Sequence, residues 1–293
     1  MKASLKFSIL FCLLSAQFTL INAQNPPPKL NIKDINKSMA IIHDSLYAGK
    51  YELSNVLYRT FVQDLKNNHQ TELLKIAILD TNVWTTKQGS NEPLVRYYHR
   101  HPNYNDYPVV GVSYEAANQF CKWLTDTYNS DPKRKFKKVV FRLPTEKEWE
   151  LAGYAGRQYV PYAWGGPFLR NSKGRFLCNF RCVGDENIIY DTLNKKIVVD
   201  LDNSNNDSYQ GSVTKFNGAS YFTITEPVTF YFPNNFGLYN VCGNVAEMVQ
   251  EKGIAKGGSW LSPGGDVQVI SRAHYSKPTR DIGFRFFMVV VEK

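Results

Sequence analysis

Long apolar runs are missing after the first two dozen residues: nothing beyond residue 23 approaches the roughly 20 apolar positions a bilayer-crossing helix needs. Histidine is scarce, five in 293 residues at positions 43, 69, 99, 101 and 274, and no two stand at the helical spacing of a two-histidine metal site. No glycine-rich phosphate loop is present. Ser259 has neither a strand-to-helix elbow nor a visible His and Asp order, which removes serine-hydrolase chemistry. Charge of one sign is not concentrated either. The formal net charge of +9 falls to about +7 without Lys2 and Lys6, and the one basic cluster, Asp131 to Lys138, reads as a solvated loop before a strand rather than a nucleic-acid surface.

Cysteine is sparse as well, five in all. Cys12 falls in the N-terminal leader, where the bulky Phe11 before it argues against lipid attachment. Cys121, Cys178, Cys182 and Cys242 remain; none has zinc spacing with a histidine, and four cysteines allow three pairings that sequence does not rank, Cys178 with Cys182 across a tight loop among them.

What is present is material for a core. With 43% apolar and 21% charged residues, 18 Tyr and 18 Phe, most of the chain is expected to fold, as one large domain or two small ones. Residues 1–23 read as a secretory signal peptide: Lys2 and Lys6 are the charged end, Phe7 to Leu14 and Phe18 to Ile21 the apolar part, and Ala23 precedes cleavage. An N-terminal extension, 24–46, opens on Pro26-Pro-Pro28, a stiff spacer.

Local signals then place elements in order. Ser54 caps a helix with Leu57, Phe61 and Leu65 on one face, and 70–79 extends it as a second helix. Val109 to Val112 is an apolar strand, and Ser113 caps a helix reaching about Tyr128, with Ala117, Phe120, Cys121 and Leu124 turned to the core. Cys121 is thus read as a small buried hydrophobe. Val139 to Phe141 is a strand; Thr145 and Glu148 form a capping box for a helix that Gly156 ends. Glu146, Glu148 and Glu150 are cap and first-turn charges favoured by the helix dipole. His99 and His101 could share one face of a strand and bind a metal; amid Tyr97, Tyr98 and Tyr104 the alternative is an aromatic surface loop. From Tyr162 to Phe236 the chain reads mostly as loop, and a loop that long needs a local organiser.

The densest stretch is Gly237-Leu-Tyr-Asn-Val-Cys-Gly-Asn-Val-Ala-Glu-Met248. Side-chain oxygens of Asn240 and Glu247, with main-chain oxygens of Gly243 and Val245, could wrap a hard cation such as Ca²⁺, which takes six to eight oxygens. An ordinary solvated Asn-Gly turn is the alternative.

This box resembles the GLYDMxGNVWEW box of the formylglycine-generating-enzyme-like (sulfatase-modifying-factor) family. Pro108-Val-Val-Gly-Val-Ser-Tyr114, Arg142-Leu-Pro-Thr-Glu-Lys-Glu-Trp-Glu150, and Lys256-Gly-Gly-Ser-Trp260 with Gly283-Phe-Arg285 resemble three more boxes in family order. The resemblance implies an α+β, loop-rich fold over residues 47–291, related in outline to C-type lectins, and Tyr47 to Glu52 as its opening strand. It implies two Ca²⁺ sites. Asn240, Gly243, Val245 and Glu247 would hold one; side chains of Asn179 and Asp207 with carbonyls of Phe180 and Tyr209 would hold the other, unless 200–207 is a plain surface loop. Arg272 and Arg285 match buried arginines that bond loop carbonyls and carboxylates.

Catalytic members oxidise a substrate cysteine with copper held by two thiolates between the last two boxes. Here Leu261 to Ile282 contains no cysteine, which argues against copper and against that oxidase chemistry. The stretch Tyr162 to Phe180 is similar to the family-K lipoproteins of gliding motility and type IX secretion in Bacteroidetes. The resemblance therefore implies a non-catalytic, calcium-bound domain, periplasmic or outer-membrane associated, binding an envelope protein. The alternatives are a divergent oxidase and a calcium-dependent, lectin-like binder.

Overall fold

The computed structural model describes residues 26–85, 92–181, 188–193, 195–199 and 224–293. The chain enters through α1 (Ile32–Lys37), β1 (Met39–His43) and β2 (Leu46–Gly49), then α2 (Asn55–Asn67) and the separate short α3 (Thr71–Ile76). After α4 (Glu92–Tyr97) come the long α5 (Tyr114–Ser130), β3 (Lys138–Arg142) and α6 (Glu146–Tyr154). A hairpin of β4 (Ile188–Asp191) and β5 (Lys196–Val199) interrupts the stretch read as loop. Four short strands, β6 (Ala246–Met248), β7 (Ile254–Lys256), β8 (Arg272–His274) and β9 (Ile282–Gly283), precede the closing β10 (Phe287–Glu292).

Two four-stranded sheets organise these elements. The first runs β1-β2-β10-β3 and places the last strand between the second and third, so the two ends of the chain close one sheet. β10 alternates strictly. Phe286, Met288 and Val290 face a core shared with α2 and α5, whereas Phe287 faces a second core with Ala48, Leu46 and Trp149 of α6. A sheet buried on both faces tolerates apolar residues at every position, which accounts for the run Phe286 to Val290; Val291 beyond it is exposed. In the first core Tyr58, Phe61, Phe120 and Trp123 pack ring on ring with centroids 5.3–6.2 Å apart.

The helix starts follow the local chemistry. Ser54, Ser113 and Thr145 each accept a backbone N–H in the first turn, and the Thr145–Glu148 capping box is reciprocal. α6 ends on Ala155 at φ 49°, one residue before Gly156. The expected strand at Val109 to Val112 does not form. Gly111 turns to φ 67°, and the backbone bonds singly to Leu53 O and Thr279 O, so the apolar run is buried without a ladder. The opening strand lies earlier than expected, at Leu46–Gly49, leaving Glu52 beyond its end.

Candidate functional site

The second sheet, β8-β7-β6-β9, carries the site. Glu247 sits in the middle of β6, opposite Lys256 on β7 and Gly283 on β9. Two residues past Gly283, Arg285 returns toward it. Both are almost wholly buried, and the contact is forked: Arg285 Nη2 donates to Oε1 at 2.6 Å and Nε to Oε2 at 3.0 Å. Trp149 Nε1 from α6 donates to Oε2 at 2.7 Å. The remaining guanidinium donors reach Gly49 O and Tyr239 O, so the expectation for Arg285 holds in detail. Arg272 differs. Its side chain is half exposed and pairs with Glu146.

A residue that sequence reasoning missed takes the buried place in that second cluster. Lys256 is fully buried and donates to Glu150, Glu146 and Ile270 O at 2.7, 3.2 and 2.9 Å. Glu146 and Glu150 are therefore partners of a buried ammonium and not only first-turn charges. Glu148 bonds Arg142 through both oxygens as well as closing the capping box.

The loop before β6 is held by amides. Asn240, Gly243 and Asn244 all take positive φ, at 50°, 76° and 65°. Asn244 is completely buried; its N–H donates to Asn179 O at 2.7 Å, its Oδ1 accepts from Glu226 N, and its Nδ2 donates to both oxygens of Glu52. Glu52 also accepts from Asn240 Nδ2 at 2.9 Å and Val245 N at 3.2 Å. Burial first, then the Glu247 charge, push the Glu52 carboxyl up to about 8, while the two asparagine amides and Arg285 pull it down. Glu226, raised to about 7 by burial, lies on the adjoining strand-free segment. The local signal for Glu52 was faint, an acidic residue between Tyr51 and Leu53.

Of the expected cation ligands, Asn240, Gly243 and Val245 lie in this loop and Glu247 on β6 just after it, while Asn179 is joined to the loop through its carbonyl, with Phe180 next in sequence. Asp207 and Tyr209 lie outside the described residues. Asn240 Oδ1 is buried without a hydrogen-bond partner among the described residues, which leaves one hard oxygen donor there that a ligand would satisfy. Glu247 is engaged by Arg285 and Trp149, so any cation there shares its carboxylate with a guanidinium. No group of three His, Cys, Asp or Glu side chains suited to a metal occurs among the described residues.

His99 and His101 are not brought together, which corrects the paired-ligand alternative. His101 is exposed and caps a 3₁₀ turn through Nδ1, whereas His99 is buried within a tyrosine cluster, Nδ1 against Asn55 and Nε2 without a partner. Burial, with Arg100 and Arg59 nearby, lowers its pKa from 6.5 to about 3. The unfolded chain therefore binds a proton that the folded one refuses, and stability falls as pH drops below about 6.5. From pH 6.5 to 5 this amounts to about 2 kcal/mol, at about 1.36 kcal/mol per unit. His99→Gln is expected to flatten urea-midpoint differences between pH 7 and pH 5 by that amount; an unchanged slope would assign acid sensitivity elsewhere.

Ser259 is buried and donates to Asp281 Oδ2 at 2.9 Å, with no histidine in its hydrogen-bond set. Cys121, Cys178 and Cys242 are buried free thiols, each with its pKa raised by burial, Cys242 to about 12. Among the described residues no helix is long and apolar enough to cross a membrane.

The two sheets and the helices packed on them make a mixed helix-and-sheet domain. The family described as "Sulfatase-modifying factor enzyme 1-like domain" matches residues 36–290, and the chain belongs to that family. It is similar to a formylglycine-generating enzyme of Thermomonospora curvata, 29% identical over 143 residues, 48% of this chain and 32% of that protein. The mouse formylglycine-generating enzyme is 25% identical over 237 residues, 71% of this chain and 49% of that protein. A bovine protein named "Inactive C-alpha-formylglycine-generating enzyme 2" is 27% identical over 165 residues, 53% of this chain and 39% of that protein. The chain thus spans about a third to a half of the length of these relatives.

Proposed function

We propose that this chain is a non-catalytic member of its family, an exported, calcium-stabilised domain that binds a protein partner in the cell envelope, in type IX secretion or gliding motility. The observation that carries it is the missing thiolate pair: the interval from Leu261 to Ile282 has no cysteine, and the cysteines described elsewhere are buried. Without such thiolates there is no soft ligand set for Cu(I). That a similar protein carries the word "inactive" in its name agrees with loss of chemistry on this scaffold.

Partner binding is supported by an exposed aromatic surface. Phe168 is 73% exposed and Phe232 62%, with Phe230 and Tyr159 also open to solvent. Trp164 joins the loops that bear them: its indole donates to Phe168 O, and with Tyr231 and Phe232 it lines one shallow depression. Such rings outside a core are the anchors that protein interfaces use. The test is recovery from envelope fractions. Wild-type protein is expected to retain a partner that Phe168→Ser combined with Phe232→Ser loses at least tenfold; recovery of the bait alone would count against the reading. Conversion of a sulfatase-derived cysteine peptide in the presence of copper, abolished by Cys242→Ser, would instead establish the oxidase alternative, and glycan-array binding the lectin-like one.

Ca²⁺ would be taken by Asn240 Oδ1, the carbonyls of Gly243 and Val245, and a shared Glu247 oxygen, with Asn179, Phe180, Asp207 and Tyr209 as a second set. Bound Ca²⁺ at a hundredfold excess over its dissociation constant stabilises by about 2.7 kcal/mol. Replacing chelator with 1 mM Ca²⁺ is therefore expected to raise the melting temperature by about 5–10 °C. A midpoint indifferent to chelator removes the cation from the proposal.

A further inference from the structure

Of the three cysteines among the described residues, Cys178 and Cys242 stand on adjoining segments and Cys121 stands apart. We infer that Cys178 and Cys242 form a disulfide that ties the Asn179–Phe180 segment to the loop preceding β6. Three observations lead there. The segments are already paired through the backbone, since Asn244 N donates to Asn179 O at 2.7 Å. They are also as close as backbone permits: a Cβ on Gly243, the neighbour of Cys242, would stand 3.3 Å from Cys178 Cβ. Both sulfurs belong to one core, around Tyr162 and Phe180, where Ala163 N donates to Cys242 Sγ at 3.3 Å.

Cys121 is excluded as a partner because it faces the other core, with the first sheet between. The bond would span roughly 65 residues, a length at which cross-linking removes much unfolded-chain entropy. It would also clamp side by side the two loops on which the proposed cation ligands stand, since Cys178 directly precedes Asn179 and Cys242 directly precedes Gly243.

The chemistry is thiol–disulfide exchange, with glutathione disulfide or the disulfide of a thiol oxidoreductase as oxidant. The Cys242 thiolate attacks one sulfur of the oxidant, whose other sulfur leaves as thiolate. The Cys178 thiolate then attacks Cys242 Sγ, breaking the mixed disulfide and releasing the second thiol of the oxidant. Two protons and two electrons leave the chain, and the oxidant becomes a dithiol or two thiols. Because both sulfurs are buried in the folded protein, this exchange belongs to folding, before the core closes over them.

The test is independent of export. Reduced, unfolded full-length chain is refolded in a glutathione redox buffer, quenched with iodoacetamide and digested with trypsin. Cleavage after Arg175, Arg181, Lys215 and Lys252 separates Cys178, in peptide 176–181, from Cys182 and from Cys242, in peptide 216–252. The expected species is 176–181 joined to 216–252, two mass units lighter than the sum of the free thiol peptides, with Cys121 carbamidomethylated. Linkage of 176–181 to the Cys182 peptide, or alkylation of Cys178 and Cys242 alike, overturns the inference. The oxidised protein is expected to melt about 10 °C above the reduced one. Cys121→Ser should keep that difference and Cys178→Ala with Cys242→Ala should abolish it. The same map on protein taken from the cell envelope then reports on export alone: a bond formed in vitro but absent there speaks against the oxidising compartment and not against the pairing.

Discussion

Arg285→Leu is expected to destabilise the fold by about 3–5 kcal/mol, the cost of leaving one member of a buried ion pair without the other. Glu247 would keep only the Trp149 indole, and the carbonyls of Gly49 and Tyr239 would each lose a donor. The loss spreads beyond the pair. Arg285 also holds down the Glu52 carboxyl, which burial and Glu247 push up, so removing the guanidinium raises Glu52 further and leaves the Glu247 charge buried beside it without its cation. Since stability totals roughly 5–15 kcal/mol, this is a third or more of it. The drop in melting temperature is about 10 °C, measured in chelator so that added Ca²⁺ does not replace the missing charge. Arg285→Lys keeps the charge but not the fork that reaches four acceptors, and should fall between wild type and Arg285→Leu. If instead Glu247→Gln combined with Arg285→Leu is no more stable than Arg285→Leu alone, the cost is lost packing and the electrostatic account is wrong.

What the sequence made legible is mostly local. Ser54, Ser113 and Thr145 announce their helices because a cap bonds within three residues, and Leu57, Phe61 and Leu65 announce a face because helical period is a property of consecutive residues. Val109 to Val112 misled for the same reason. Its apolar run means burial, but whether buried backbone joins a ladder depends on Leu53 and Thr279, which no local pattern reveals. The site is non-local throughout. Lys256 meets Glu146 and Glu150 across more than a hundred residues, and Glu52 meets Asn240 and Asn244 across nearly two hundred. The family boxes supplied the residues of the site, because Gly237 to Met248 and Gly283 to Arg285 are written contiguously. They did not supply the bond between Glu247 and Arg285, which depends on how β6 and β9 lie together, nor the amide clamp on Glu52, which depends on where the segment after β2 meets the loop before β6.

Gly243→Ala tests whether that loop depends on close backbone approach. At φ 76° an added Cβ costs about 1–2 kcal/mol of left-handed strain wherever it stands. Here it would also lie 2.3 Å from Asn179 O, a backbone atom that can yield only by moving its segment. Moving it breaks the Asn244 N bond to that same oxygen and leaves a buried donor unpaired, a further loss of about 1–3 kcal/mol. Gly156→Ala is the matched control. Its φ is 80°, yet nothing lies within 4 Å of the new Cβ, so it carries the strain without the collision. Urea unfolding should therefore place Gly243→Ala at about 3 kcal/mol or more below wild type and Gly156→Ala at about 1. Equal losses at the two positions would mean that the Asn179 segment gives way freely. In that case neither the clamp on Glu52 nor the alignment of Cys178 with Cys242 is held by the backbone contact assigned to it.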